Sequence, residues 1–266
     1  MSALEAIRAP LFVPANRPER FAKAAASGAD AVILDLEDAV AADAKNAARA
    51  ALRRDFTDKP VIVRINAIGT AAFDADLAAV AKLRPDAIML PKAEDPQQIG
   101  SLADIVPCPA IALIETARGL ANAREIAAAK GVVRLAFGSV DFCADLGCAH
   151  TREVLAPARF ELVLASRLAG ISAPLDGVTV LLDDLSATSE DAAHAREIGM
   201  TGKLCIHPKQ ISPVLRAFAP SQSQIDWARH VLASGDGAVQ VDGAMVDEPV
   251  RLRARSILKQ AGHSGS

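Results

Sequence analysis

Two acidic residues stand just after apolar runs that have the composition of buried strands. Glu115 follows the run at 110–114, and Asp141 lies four residues after the run at 132–137. The segment between the runs has helical character, so a strand–helix–strand unit would bring both carboxylates to one edge of a parallel sheet. Two carboxylates at one edge suit a hard divalent cation such as Mg²⁺, which takes oxygen ligands and keeps several waters. The alternative is two unrelated acids, one capping a helix and the other solvated.

Apolar runs and Ala-rich segments of helical period alternate over the first 210 residues. Strands are predicted at 11–14, 31–36, 61–65, 87–90, 110–114, 132–137, 177–182 and 202–206, with helices such as 20–26, 44–54, 73–83, 120–129 and 156–169. Eight βα units in about 250 residues predict an α/β fold, the TIM (β/α)₈ barrel, rather than an open doubly wound sheet. No Gly-x-Gly-x-x-Gly follows the first strand, which argues against dinucleotide binding.

The C-terminal segment departs from this alternation. A helix is predicted at 222–233, a hairpin with an Asp-Gly turn at 238–246, and a last basic helix opened by Pro249. We therefore expect a catalytic barrel domain over 1–220 and a helix–hairpin–helix appendage over 221–266. The appendage would pack on its own barrel or, as we favour, on a neighbouring subunit.

Composition excludes several classes of function. The chain has 266 residues, 51% of them apolar, and a net charge of −3 with no basic stripe, which argues against nucleic acid as a partner. No apolar run reaches the length of a membrane span, and the N-terminus lacks the apolar run of a signal peptide. We expect a cytoplasmic protein without a membrane partner. Its four cysteines follow no zinc spacing and suggest no disulfide framework.

Charged residues also stand at the ends of the second and third predicted strands. Arg64 lies inside an apolar strand and needs an anionic partner, either a substrate carboxylate or carbonyl, or Glu37 or Asp38 within the chain. Asp35 and Glu37 share one strand face. They could support a metal ion, form a proton-transfer pair, or pair with Arg64 and Lys92.

Basic residues follow the first strand. Arg17 and Arg20 begin a helix, where backbone donors already favour anions, and Lys23 follows on the same segment. These side chains could hold phosphates or form a solvated basic face. His207, which precedes a proline, is interpreted as structural rather than as a catalytic base.

Eight short motifs occur in an order that is specific when taken together. They are Leu-Phe-Val-Pro-Ala-Asn-Arg-Pro-Glu-Arg-Phe (11–21), Leu-Asp-Leu-Glu-Asp-Ala-Val (34–40), Val-Arg-Ile-Asn (63–66), Leu-Pro-Lys (90–92), Ile-Glu-Thr-Ala-Arg-Gly (114–119), Phe-Gly-Ser-Val-Asp-Phe-Cys-Ala-Asp-Leu-Gly (137–147), Asp-Gly-Val (176–178) and Gly-Lys-Leu-Cys-Ile-His-Pro-Lys-Gln-Ile (202–211). With these motifs, residues 8–260 resemble the citrate lyase β-subunit-like branch of the HpcH/HpaI aldolase superfamily, which includes malyl-CoA and citramalyl-CoA lyases.

The resemblance implies a TIM barrel and carbon–carbon lyase chemistry that depends on Mg²⁺, for which Mn²⁺ could substitute. The substrate class it implies is a β-hydroxyacyl-CoA thioester of the malyl, citramalyl or citryl type. Cleavage would give acetyl-CoA or a related acyl-CoA and a 2-oxo acid through a thioester enolate. The metal would chelate the substrate hydroxyl and carboxylate oxygens.

The resemblance also implies roles for individual residues. Glu115 and Asp141 match the metal ligands, with Glu115 also facing the substrate, and Arg64 matches a substrate arginine that stabilises charge on a carbonyl oxygen. Asp247 matches an acid that relatives bring in from a neighbouring subunit, where it could return a proton to the enolate carbon. Glu37 is our candidate for relaying a proton from the hydroxyl.

Looser matches concern the coenzyme and the assembly. The segments 17–23 and 203–209 match places where relatives approach the CoA nucleotide, so Arg17 is a candidate substrate-binding residue. The family implies a homo-oligomer, a trimer or a hexamer. Three alternatives stay open: an aldolase for free 4-hydroxy-2-oxo acids, a non-catalytic or assembly subunit, and a condensing enzyme that hydrolyses the thioester.

Overall fold

The computed structural model describes residues 3–235, 239–241 and 244–262, and eight parallel strands form one sheet in chain order. The strands are β1 (Pro10–Pro14), β2 (Ala31–Asp35), β3 (Val61–Arg64), β4 (Ala87–Leu90), β5 (Ala110–Ile114), β6 (Val132–Phe137), β7 (Ser172–Asp176) and β8 (Gly202–Lys203). The sheet closes where Lys203 N donates to Arg8 O at 2.8 Å, Cys205 N to Pro10 O at 3.0 Å, and Phe12 N to Cys205 O at 2.9 Å. The predicted TIM barrel is confirmed.

At least one helix follows each strand, in the order that the alternating pattern predicts. They are α1 (Phe21–Ala25), α2 (Lys45–Ala50), α3 (Phe73–Leu83), α4 (Pro96–Ile105), α5 (Ala117–Ala121), α6 (Ala123–Ala128), α7 (Ser139–Leu146), α8 (Arg152–Ala169), α9 (Leu185–Ile198) and α10 (Ile211–Phe218). Several begin at a side-chain cap, as where Thr151 accepts from Val154 N, because the first N–H groups of a helix lack partners within it. Within the described part of the chain, no helix is long and apolar enough to cross a membrane.

The predicted position of the seventh strand is wrong. The strand is Ser172–Asp176, and the predicted run at 177–182 is a loop in which Val180 and Leu181 are exposed. The pattern failed because this strand contains a proline and ends in an acid, while the loop after it carries the apolar residues. Helix α8, predicted from 156, begins four residues earlier at Arg152.

Aliphatic side chains from alternate positions of the strands form a buried cluster. It comprises Ile7, Ala31, Ile33, Ile62, Ala87, Met89, Ile111, Leu113, Ala136, Leu175 and Leu204. Alternation with period 2 sends successive side chains to opposite faces, so residues two positions apart share a face of the sheet. A residue two positions after a member of the apolar cluster therefore lies on the same face of the sheet as the cluster.

The chain divides into two compact units, Met1–Leu215 and Arg216–Ser266. This division lies a few residues before the boundary that we predicted at 220. In the second unit, α11 (Gln222–Ala233) packs against α12 (Glu248–Gly262), and β9 (Val239–Val241) pairs antiparallel with β10 (Ala244–Val246). The predicted Asp-Gly turn at 242–243 lies outside the described residues. Arg253 lies over the ring of Trp227, 5.3 Å from its centroid.

Candidate active site

Charged residues continue three of the strand faces that supply the apolar cluster. Asp35, Arg64 and Glu115 each stand two positions after a cluster residue, at the carboxyl end of a strand. Asp35 and Arg64 are also direct cross-strand partners in the register of β2 and β3. In a barrel, side chains at these ends meet at one rim, where catalytic residues of this fold are found. The sequence pattern thus gathers opposite charges at a single edge.

Arg64 is held by a bidentate pair. Its Nε and one Nη donate to the two carboxylate oxygens of Asp35 at 2.7 and 2.6 Å, and its guanidinium lies 4.8 Å from the ring centroid of Phe12. Burial alone would lower the pKa of Arg64, but the hydrogen bonds and charge of Asp35 raise it overall. Asp35 uses two of the five guanidinium N–H groups, so others can face a ligand.

Glu37 lies between two cations. Its Oε2 is 3.0 Å from Nη1 of Arg64, an ion pair outside hydrogen-bonding angles, and its Oε1 accepts from Nζ of Lys92 at 2.9 Å. Burial raises the pKa of Glu37, and the neighbouring cations oppose that effect without cancelling it. Of the roles we considered for Asp35 and Glu37, pairing with Arg64 and Lys92 is the one observed.

Glu115 is fixed by contacts on both sides of its carboxylate. Its Oε1 accepts from the backbone N–H of Lys92 at 2.8 Å. A Cβ added to Gly138 would lie 2.3 Å from its Oε2, so only glycine leaves room for this carboxylate. The backbone of Lys92 is left-handed, with φ 47°, which costs a residue other than glycine about 1–2 kcal/mol. Lys92 was missed as a site residue, because a sequence does not display backbone dihedrals.

The carboxylate of Glu115 lies in an electrostatically unfavourable environment. Its exposed fraction is 1%, and burial is the largest cause that raises its pKa to about 8, followed by the charge of Glu37. Asp141, in the first turn of α7, raises the pKa further, and the N–H of Lys92 lowers it. The charge of Asp141 therefore acts on Glu115.

A divalent cation fits this donor set. It would be held by Glu115 and Asp141, and its charge would offset the burial and repulsion that disfavour ionised Glu115. In the described part of the chain, no three His, Cys, Asp or Glu side chains are arranged to hold a metal ion. Water or substrate oxygens would complete the shell, which is how Mg²⁺ commonly binds to proteins.

A buried acid behind the rim supports the loops after β2 and β3. Asp76 is fully buried, and its Oδ2 accepts from the backbone N–H of Asn66 at 2.8 Å and from its side-chain amide at 2.6 Å. Its other oxygen accepts from Arg49 at 2.7 Å, while the same Asn66 amide donates to Leu36 O. These bonds fix the backbone that precedes Glu37.

Two further predicted site residues are Arg17 and Asp247. Arg17 is exposed, and its Nε donates to Glu19 at 2.6 Å. Asp247 belongs to the second unit, where it is half-buried before α12 and its Oδ1 accepts from Val250 N at 3.4 Å. Arg17 was proposed from its place at a helix start and from the family resemblance, and Asp247 from the resemblance. Their roles stay predictions.

The ends of β7 and β8 carry a charged cluster that the sequence did not reveal. Asp176, fully buried, accepts from Arg159 at 2.7 Å and from Lys203 at 3.0 Å. Burial alone would raise the pKa of Asp176, but these two cations lower it overall. Lys203 is 1% exposed and its ammonium is held by Asp176. The approach of a CoA nucleotide to segment 203–209 stays a prediction. A correct β7 boundary would have shown Asp176 as another strand-end acid.

His207 is structural, as interpreted from its position before a proline. Its Nδ1 accepts from Lys209 N at 3.1 Å, and together with Gln210 it caps a short 3₁₀ helix. A different histidine, His150, contacts a strand-end residue, since its Nε2 lies 2.9 Å from Oγ of the buried Ser139. No sequence signal distinguished His150.

Comparisons with known proteins identify relatives of this chain. The family model for HpcH/HpaI aldolase/citrate lyase matches residues 8–208. A citrate lyase subunit beta-like protein of Mycobacterium tuberculosis is 45% identical, and a (3S)-malyl-CoA thioesterase of Cereibacter sphaeroides is 35% identical. The two alignments cover 96% of this chain and 96% and 94% of those proteins.

A solved structure extends the comparison to three dimensions. The structure of CitE from Mycobacterium tuberculosis, in complex with magnesium, acetoacetate and coenzyme A, has a TM-score of 0.88 and 44% identity. That comparison covers 97% of this chain and 99% of that chain. The barrel, the ordered motifs and these relatives agree, and the chain belongs to the HpcH/HpaI aldolase/citrate lyase family.

Proposed function

We propose that this chain is a Mg²⁺-dependent carbon–carbon lyase that cleaves a β-hydroxyacyl-CoA into an acyl-CoA and a 2-oxo acid. The observation that carries the proposal is the chain of ion pairs that links Glu115, through Lys92 and Glu37, to Arg64. Related CitE structures contain magnesium with acetoacetate and coenzyme A, or with pyruvate. Among the substrates, we favour the citramalyl, malyl and citryl thioesters.

The metal ion would polarise the substrate hydroxyl and carboxylate oxygens between Glu115 and Asp141. Arg64, oriented by Asp35, would donate its remaining N–H groups to the thioester carbonyl oxygen as negative charge develops there. Removing a donor of this kind costs on the order of 3–4 kcal/mol in catalysis. Glu37, whose pKa is raised by burial, would take up and pass on the hydroxyl proton.

Two further residues, Arg17 and Asp247, are proposed to act outside the cluster of Arg64, Glu37 and Glu115. Arg17 is exposed and paired with an exposed acid, so an anionic group of the CoA thioester could take the place of Glu19. Asp247 would return a proton to the enolate carbon in the site of a neighbouring subunit, which makes a homo-oligomer part of the proposal. The half-buried side chain of Asp247 lies at a helix start, where its Oδ1 accepts from Val250 N at 3.4 Å.

The test is a substrate screen on the purified chain. Citramalyl-CoA, malyl-CoA and citryl-CoA are supplied with Mg²⁺ or with a chelator, and acyl-CoA and 2-oxo acid are quantified together. We expect equimolar release of both products, only with the metal. Asp141→Asn should abolish release, while Asp145→Asn on the same helix should preserve it, because its amide oxygen can still accept from Ala117 N.

Products other than acyl-CoA and a 2-oxo acid would indicate one of the competing functions. Thioester hydrolysis is the second candidate, favoured by the 35% identical (3S)-malyl-CoA thioesterase, and it would release free CoA with the intact hydroxy acid. Equal turnover of free 4-hydroxy-2-oxo acids would indicate an aldolase. No turnover of any thioester by a folded, metal-loaded chain would indicate an assembly subunit and contradict the proposal.

Sharing of sites between subunits is tested by mixing two inactive variants, Glu115→Ala and Asp247→Ala. If each site takes Glu115 from its own chain and Asp247 from a neighbour, random exchange restores about a quarter of the sites. Exchange is verified with differently labelled chains. No recovery after verified exchange would mean that Asp247 does not act in a neighbour's site.

A further inference from the structure

Lys92 has a backbone conformation that its position in the fold does not explain. Among the described residues other than glycine, only Arg84 and Lys92 have positive φ. Arg84 ends α3, where a left-handed residue commonly closes a helix. Lys92 follows β4 and ends no helix, so another constraint must hold it there.

The side chain and the backbone of Lys92 reach different carboxylates. Its N–H donates to Oε1 of Glu115 at 2.8 Å, and its Nζ donates to Oε1 of Glu37 at 2.9 Å. The same Nζ lies 4.0 Å from Oε1 of Glu115. Glycine would adopt this backbone without strain and keep the N–H donor, but it would lack the ammonium. A lysine here indicates that the ammonium itself is needed.

The ammonium separates two acids that could otherwise bind the same cation. Nζ of Lys92 lies 2.9 Å from Oε1 of Glu37 and 4.0 Å from Oε1 of Glu115, so the two carboxylates are near neighbours on either side of it. Lys92 and Arg64 together hold Glu37 in ion pairs. A carboxylate held this way is kept from the metal, and coordination positions are left for substrate oxygens.

We propose that Lys92 is a positioning residue that keeps Glu37 out of the metal's ligand shell while its backbone amide orients Glu115. The inference rests on the proposed function, since it assumes a cation between Glu115 and Asp141. Removing the ammonium has two consequences. The cation site loses a repelling positive charge and binds metal more tightly. Glu37, then held by Arg64 alone, can turn to ligate the cation and obstruct the substrate.

The experiment measures Mn²⁺ binding to the substrate-free protein by electron paramagnetic resonance, together with steady-state kinetics. Lys92→Met and Lys92→Gly remove the ammonium, and the glycine variant keeps the left-handed backbone. We expect both to bind Mn²⁺ about three- to tenfold more tightly at low ionic strength. We also expect kcat to fall at least about tenfold, with Lys92→Arg recovering part of it. Lys82→Met, at an exposed lysine on α3, is the matched control and should change neither quantity.

Each outcome decides the inference. Weaker Mn²⁺ binding by folded Lys92→Met and Lys92→Gly, or a kcat within twofold of wild type in either variant, overturns it. If wild type binds Mn²⁺ but cleaves no thioester, the proposed function fails, while tighter binding by the variants still supports the placement of Lys92. If wild type binds no Mn²⁺, both proposals are overturned. Circular dichroism and the melting temperature of each variant exclude misfolding as the cause.

Discussion

Replacing Glu115 by glutamine should stabilise the metal-free protein while abolishing its response to metal. The pKa of Glu115 is raised from its usual 4.5 to about 8, mainly by burial and by the charge of Glu37. Between these values the unfolded chain releases a proton that the folded chain retains, so stability falls as pH rises from about 4.5 to 8. At 1.36 kcal/mol per pH unit, the loss reaches about 5 kcal/mol.

Glutamine removes this loss, because it does not ionise. Its amide oxygen can still accept from the N–H of Lys92. The metal-free variant should therefore match wild type near pH 4.5 and exceed it by up to about 5 kcal/mol at pH 8 and above. Urea unfolding in the presence of a chelator, followed by circular dichroism from pH 5 to 9, measures this difference. Glu197→Gln, at an exposed glutamate on α9, should follow the wild-type curve.

Metal binding should stabilise the wild-type protein, whereas ionisation of Glu115 destabilises it. At pH 8, Mg²⁺ at a hundred times its Kd should stabilise wild type by about 2.7 kcal/mol, and it should leave Glu115→Gln unchanged. Parallel stability curves for the two metal-free proteins between pH 5 and 8 would refute the electrostatic argument. A Mg²⁺ response that survives in Glu115→Gln would refute the assignment of Glu115 as a ligand.

Three further substitutions test the positions of other side chains. Arg64→Lys should keep the fold but lower kcat/KM about 100-fold or more, because one ammonium cannot reproduce the bidentate pair with Asp35; near wild-type kinetics would give Arg64 a purely structural role. Gly138→Ala should weaken Mn²⁺ binding in a titration, since its new Cβ would lie 2.3 Å from Oε2 of Glu115, and unchanged affinity would show that this carboxylate moves freely. Arg134→Met should cost about 3 kcal/mol or more in urea unfolding, because its guanidinium donates to three carbonyls and a hydroxyl in the barrel; a loss below 1 kcal/mol would mean that water replaces it.

The alternation of strands and helices was predictable because strands buried on both faces need continuous apolar runs. Strands β4 and β5 meet that requirement throughout, and it failed at β7, where only three residues stand between Ser172 and Asp176. The error concealed a buried ion cluster, because Lys203 and Arg159 have meaning only beside that acid. Because of that misplaced boundary, Asp176 was not considered as a partner of Lys203 and Arg159.

The acids of the candidate site were predictable from their positions at strand ends, and their contacts were not. Pairing of Asp35 and Glu37 with Arg64 and Lys92 was among the roles considered, but the sequence does not show that Asp35 makes the bidentate contact with Arg64 while Glu37 makes an ion pair with it. That pairing depends on the register between β2 and β3, which places Asp35 opposite Arg64. The role of Lys92 depends on a backbone dihedral, and no pattern of residue types encodes it.

The hydrogen bonds that close the barrel join the first strand to the last, so they have a consequence for synthesis. At about 5–20 residues per second, roughly 10–40 s pass between translation of β1 and translation of β8. During that time the closing edge of β1 lacks its partner and could pair with another nascent chain. The N–H of Phe12 faces this edge, and alternation sends positions 10 and 14 to the same side. Both are prolines, which have no N–H to offer, so a single donor remains on β1 until the chain's own last strand arrives.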